Sequence, residues 1–272
     1  MKSLLKICVT LVAVVVFIGL LGAGAGIGVF WHFGRGLPDY QQLADYEPPT
    51  VTRVHAGDGR LLVEFAKQRR VFVPIKAMPK LVLKAFLSAE DKDFYEHRGV
   101  DFRSVVRAVI TNIRRIGSGQ RLVGASTITQ QVAKNFLLTN EVSLDRKVKE
   151  AILAFRIERA LSKDRILELY LNEIYLGQGS YGVAAAALNY FDRSLGDLPI
   201  AEVAYLAGLP KAPNNYHSTR RPEAARARRD YVIGRMLEDG YITREQADAA
   251  LAEPLVVRQR TGASVARADY FV

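Results

Sequence analysis

Two blocks of side chains in this sequence have the types and spacing to do chemistry. The first is Glu90-Asp91-Lys92-Asp93-Phe94-Tyr95-Glu96-His97, where acids and a histidine follow an apolar run. The second is Ser126-Thr127-Ile128-Thr129-Gln130-Gln131-Val132-Ala133-Lys134-Asn135, dense in donors and free of acids. An acidic block followed by a donor block suits a site that removes a proton at one end and holds an anion at the other. The plain alternative is a solvated helix end followed by a capped helix.

Glu90 follows Val82, Ala85, Phe86 and Ala89, which share one helical face. A carboxylate set against apolar walls has a raised pKa and can serve as a general base, with Asp91 beside it to tune or orient it. His97 has no second histidine nearby, a pattern that fits a hydrogen-bonded structural residue better than a ligand. Thr127 and Gln130 fit a capping box. Capping gives no use to Gln131, Lys134 and Asn135, and a helix starting at Ser126-Thr127 favours an anion at its N-terminus. Further on, Arg146 and Glu150 stand one helical turn apart with Lys147 between them. They read either as a surface ion pair or as a cationic cradle held in place by a carboxylate or a metal ion. Gly177-Gln178-Gly179-Ser180-Tyr181-Gly182 lacks the Lys-Ser/Thr of a nucleotide loop and no strand precedes it, so it reads as a tight turn.

The elements that must position these groups are mainly helical. Helices are expected over the run through Val82–Ala89, behind an Asp101 cap, after Thr127, over Asp145–Leu161 and Lys163–Tyr175, to Phe191, from Asp197 to Leu209, over Pro222–Glu238 and after a Thr243/Gln246 capping box. The helix after Asp101 has a wide apolar stripe, Phe102, Val105, Val106, Val109, Ile110 and Ile113, edged by Arg103, Arg107, Arg114 and Arg115. It reads as a core helix with a basic face or as a helix lying in a membrane interface. The one β-like region is a hairpin, Val51–Val54 and Leu61–Phe65 around Gly57-Asp58-Gly59, with Val71–Val73 as a further short strand.

The chain has 272 residues and a net charge of +10, which points to an anionic partner. A single cysteine, Cys8, excludes an internal disulfide and a cysteine metal site. Ile7 to Phe33 contains no Asp, Glu, Lys or Arg and exceeds the ~20 residues a membrane helix needs. With Lys2 and Lys6 before it and Trp31 near its end, it reads as an uncleaved signal anchor, N-terminus in the cytoplasm. That topology argues against nucleic acid as the anionic partner.

Taken together the blocks resemble the glycosyltransferase domain of class A penicillin-binding proteins, the peptidoglycan polymerases of glycosyltransferase family 51. Glu90-Asp91, Phe94, His97 and Gly99 match the first family motif. Gly124, Ser126-Thr127, Gln130-Gln131 and Lys134-Asn135 match the second, and Arg146-Lys147 with Glu150 the third. Lys163, Ile166-Leu167-Glu168, Tyr170-Leu171-Asn172, Gly177, Gly179 and Gly182 match the fourth. Ala201-Glu202, Ala204 and Leu206-Ala207-Gly208-Leu209-Pro210 match the fifth.

The resemblance implies a bilobal, lysozyme-like α fold with a small N-terminal hairpin segment and one transmembrane helix. It implies a cytoplasmic tail at 1–6, an anchor at 7–33, a linker and hairpin at 34–76 and a catalytic domain at 77–255 in the periplasm of an inner-membrane protein. Residues 256–272 then lead toward a transpeptidase domain; its Lys-Thr-Gly motif is absent, and the one Ser-x-x-Lys is Ser3 to Lys6. The implied reaction is polymerisation of lipid II onto a growing glycan strand. Glu90 and Glu150 are the catalytic residues it implies. Asp91, Phe94, His97, Ser126, Thr127, Gln130, Gln131, Lys134, Asn135, Arg146 and Lys147 are the substrate-binding ones. A divalent ion, Mg or Mn, would sit at Glu150, and other cell-wall synthesis proteins are partners. A wall-cleaving lytic transglycosylase or lysozyme and a non-catalytic membrane scaffold are the other readings; the cationic residues and the intact motifs speak against each in turn.

Overall fold

A computed structural model of the chain describes residues 2–44, 46, 52–55, 57–58, 61–65, 69–119, 123–139, 141 and 143–257. It is mainly helical. Ten α-helices follow in order: α1 Lys2–Gly34, α2 Lys80–Glu90, α3 Phe102–Arg115, α4 Ile128–Leu137, α5 Leu144–Ala160, α6 Lys163–Glu173, α7 Val183–Phe191, α8 Ile200–Gly208, α9 Pro222–Glu238 and α10 Arg244–Ala252. Among the described residues there are also four short strands, β1 Thr52–His55, β2 Leu61–Phe65, β3 Arg69–Arg70 and β4 Ser180–Tyr181.

Local chemistry sets most helix starts. Asp101 accepts from the backbone N–H of Arg103 and Ser104 and starts α3. Thr127 and Gln130 form the full capping box of α4, as Thr243 and Gln246 do for α10. Ser143 and Ser162 cap α5 and α6. The β1–β2 hairpin forms with an irregularity between Val54 and His55. The strand expected at Val71–Val73 does not form. β3 lies two residues earlier and pairs in parallel with β4, while the Asn172 amide takes both backbone groups of Val73 (2.8 and 2.9 Å).

The helices pack in two groups. α2 lies against α8 and α9, with α10 on α8 and α9; α4 lies against α5 and α6. One apolar core runs through both, from Val82, Phe86 and Val132 to Tyr205 and Ile233. The Gly177–Gly182 turn joins α6 to α7. Its glycines allow close approach to the protein itself, because a Cβ on Gly182 (φ +80°) would stand 2.4 Å from the Asn172 carbonyl oxygen.

α3 is the exception to this packing. Only Ala108 of it is buried, and Phe102, Val106, Val109, Ile110 and Ile113 face outward. The core-helix reading of its stripe is thereby excluded. α1 meets the domain through α5, where the Arg156 guanidinium donates to the Gly34 carbonyl (3.1 Å). Among the described residues no helix is long and apolar enough to cross a membrane.

Candidate active site

Glu90 is the last residue of α2 and stands where the two helix groups meet. Its Oε2 accepts from Gln131 Nε2 of α4 at 3.0 Å, and its Oε1 faces Arg228 Nη2 of α9 at 3.4 Å. Removal from water pushes its carboxyl above the ordinary range, and the neighbouring Asp91 adds to this. The Gln131 hydrogen bond and the charges of Arg228 and Lys211 pull the other way without reversing it.

Two hollows share Glu90 as a wall. One, of about 400 Å³, is cationic: Lys134, Arg146, Lys147, Lys211 and Arg228 line it, with Ser126 and Glu150. The other, of about 270 Å³, is lined by Ser88, Asp101, Ser104, Arg107 and Arg235 among others. Ser126 and Tyr231 border both. A carboxylate between a cationic hollow and a neutral-to-basic one can take a proton on one side while charge accumulates on the other.

The cationic wall is organised by Glu150, which is 1% exposed. It forms ion pairs with Arg146, one turn away, and with Lys147 Nζ at 2.5 Å. Lys147 also donates to Ser126 Oγ (2.6 Å), which ties α5 to the start of α4. Partial burial and the charges of Arg146 and Lys134 lower the Lys147 pKa. Both Glu150 oxygens are thus taken by cations. Among the described residues no three His, Cys, Asp or Glu side chains come together in a way that could hold a metal ion.

The other expected site residues divide. Gln131 and Lys134 line the cationic hollow, Gln130 and Ser126 border it, and Thr127 lines the second. Thr127 Oγ1 and Gln130 Oε1 serve the capping box, and Thr127 also donates to the Gly99 carbonyl (2.6 Å). The Asp91 carboxylate is consumed by His97 Nε2 (3.0 Å to each oxygen) and by the Ile128 N–H (2.9 Å). Asp91 and His97 therefore brace the α2 end against α4. Phe94, expected to touch substrate, is fully buried and packs beneath Lys163 and beside His97. Asn135, on α4, is exposed and borders neither hollow.

A family model described as Transglycosylase matches residues 58–237. The chain belongs to the transglycosylase family. It is 54% identical over 256 residues to Penicillin-binding protein 1A of Rickettsia conorii, which covers 94% of this chain and 32% of that protein. To Penicillin-binding protein 1A of Aquifex aeolicus it is 46% identical over 238 residues, 88% of this chain and 32% of the other. The chain thus spans about a third of the length of these relatives. A crystal structure of Penicillin-Binding Protein 1A from Haemophilus influenzae overlays at a TM-score of 0.45 and 29% identity, over 79% of this chain and 22% of that one. The resemblance read from the sequence is borne out at the level of the family. The sequence does not single out Lys211, Arg228 and Tyr231, which line the cationic hollow of this transglycosylase domain, or Ser88, Ser104 and Arg235, which line the second. Lys211 directly follows the fifth motif. Arg228 lies on the arginine-rich α9, whose sequence does not mark which arginine turns inward; its side chain is buried under Gly208 and donates to that residue's carbonyl (3.0 Å).

Proposed function

We propose that this domain is a peptidoglycan glycosyltransferase that polymerises lipid II into glycan strands during cell-wall synthesis. The observation that carries the proposal is the position of Glu90, raised in pKa, between a five-cation hollow and a second polar hollow. The donor, a growing glycan on undecaprenyl diphosphate, places its diphosphate among Lys134, Arg146, Lys147, Lys211 and Arg228. The acceptor's 4-hydroxyl lies against Glu90. Glu90 takes the hydroxyl proton as that oxygen forms a bond to the donor's anomeric carbon, which inverts. The bond from that carbon to the diphosphate breaks, and its electron pair leaves on the diphosphate. Charge growing on this leaving group is met by side chains already in place, which is where electrostatic catalysis is most effective. Glu150 acts as a positioning residue: it fixes Arg146 and Lys147 and touches no reacting atom.

A wall hydrolase would need a carboxylic acid, commonly paired with a second carboxylate, and a water, with no use for five cations. The fold expected on this reading is the bilobal lysozyme-like one, with the two helix groups as lobes and the domain spanning residues 77–255. α1 is the single-pass anchor, its N-terminus cytoplasmic and the catalytic domain periplasmic at the inner membrane. The exposed apolar face of α3 rests in the same membrane, and other cell-wall synthesis proteins are its partners. Incubation of the full chain with purified lipid II tests the reading: glycan polymer is the expected product, and Glu90→Gln abolishes it. Cleavage of finished wall without polymerisation would overturn it.

A further inference from the structure

A third cavity, of about 470 Å³, shares no residue with the cationic hollow. It lies between the 93–103 segment and α5. Gly99 (φ +91°) presses this segment onto α5, since a Cβ there would stand 2.8 Å from the Ala154 carbonyl. Phe102 and Phe155 then stack, with ring centroids 6.2 Å apart, as an aromatic wall. The same α5 turn carries Arg156, which holds the C-terminal end of α1. The exposed apolar side of α3 begins at Phe102 itself.

The cavity's charges come in two signs. Arg98 and Arg103 are exposed and, among the described residues, form no ion pair; the same holds for the Glu96 carboxylate. Asp93 adds a second acid, while Asp101 is spent on the α3 cap. His97 completes the lining. Its Nε2 faces the Asp91 carboxylate, so in the neutral ring Nε2 carries the proton and Nδ1 is left as an acceptor. Nδ1 is buried and has no hydrogen-bond partner. A simple anion would meet two uncompensated acids here, and a simple cation two arginines. A zwitterion with an apolar tail meets complementary groups throughout.

We propose that this cavity binds the phosphoethanolamine headgroup of a membrane phospholipid. Arg98 and Arg103 hold the phosphate through charge-assisted hydrogen bonds. Glu96 and Asp93 hold the ammonium, with the His97 ring behind them, and the acyl chains run along Phe102 and the α3 face. The inference rests on the proposed membrane placement of α1 and α3, which a separate measurement must therefore check.

The test uses the full chain, ¹⁵N-labelled at histidine and kept in a maltoside detergent, with the His97 signal assigned by its loss in His97→Asn. Dihexanoyl phosphatidylethanolamine is expected to shift the His97 Nδ1 resonance saturably. O-phosphoethanolamine, lacking acyl chains, should do so about tenfold more weakly. Dihexanoyl phosphatidylglycerol and inorganic phosphate should produce no such shift. Arg103→Gln and Glu96→Gln, both exposed changes that leave the fold intact, should each weaken the phosphatidylethanolamine response about fivefold or more. An unmoved His97 signal, an equal response to phosphatidylglycerol, or an unchanged response in both variants overturns the site. Flotation of the chain with phosphatidylethanolamine/phosphatidylglycerol vesicles checks the placement. Flotation without a His97 response overturns the headgroup site alone. A His97 response to the soluble lipid without flotation overturns the membrane placement and leaves the site standing.

Discussion

The end of α2 and the first turns of α5 each bury a carboxylate in the same cleft, and they do opposite things with it. Glu90 meets one neutral amide donor at 3.0 Å and one guanidinium at 3.4 Å. Glu150 is buried more deeply, yet both its oxygens are paired, with Arg146 and with Lys147. Burial alone therefore does not make a base. A carboxylate becomes one when desolvation outweighs the groups that favour its charge. Where cations saturate it, the carboxylate becomes the frame that aims them.

The largest test of this contrast is Glu90→Gln. On the proposed mechanism it should lower kcat for lipid II polymerisation by about 10²–10⁴-fold while donor binding survives. It should also raise the melting temperature. A carboxylate whose folded pKa lies above its unfolded value holds more protons when folded, so it loses stability as pH rises between those two values, and at neutral pH its charge is a burden. Near-normal turnover in this variant would break the contrast at its root.

Next come the cations that Glu150 aims. On the proposed mechanism Arg146→Ala and Lys134→Ala should each cost about 10²–10³-fold in kcat, with a smaller change in substrate affinity, because there they act on charge that grows during reaction. Arg146→Lys should restore only part of this, since a point charge does not reproduce a planar fork. Single-turnover rates against lipid II separate these effects from binding.

Glu150→Gln sharpens the comparison further. It makes the cleft more positive, so a purely electrostatic cradle predicts faster chemistry. Positioning predicts slower chemistry and a stability loss of about 3 kcal/mol, because Arg146 loses the partner that holds it. Unchanged or faster single turnover in Glu150→Gln would reduce Glu150 to an ordinary ion-pair partner. The smallest effect expected is on the outward face of α3. Val109→Asp should change stability by no more than about 0.5 kcal/mol, because that side chain is half exposed, yet it should lower vesicle flotation.

The sequence was legible where interactions are local. Asp101, Thr127/Gln130 and Thr243/Gln246 sit within three residues of the N–H groups they cap, so their patterns are visible in the chain. Glu90, Lys134 and Arg146 were found through motif blocks. What stayed hidden depends on distant partners. Val71–Val73 has strand composition, but Val73 gives both its backbone groups to Asn172, about a hundred positions away. Arg228 reaches Glu90 across 138 positions, and nothing in an arginine-rich helix marks which arginine turns inward. Phe94 and His97 stand in the same motif as Glu90, but the motif does not separate a residue that touches substrate from one that braces its neighbour.

On the proposed mechanism Glu90 is a base whose affinity for protons is set by its surroundings. The most direct test is the acid limb of kcat/KM for lipid II polymerisation, in the parent chain and in Gln131→Leu. The base works only when deprotonated, so activity should fall as pH drops through its pKa. That fall should lie above the ordinary glutamate value of about 4.3. Gln131→Leu removes a hydrogen bond that favours the charged form, so the limb should move to higher pH. A limb at the ordinary glutamate value, or one that stays put or moves downward in Gln131→Leu, would contradict the assignment.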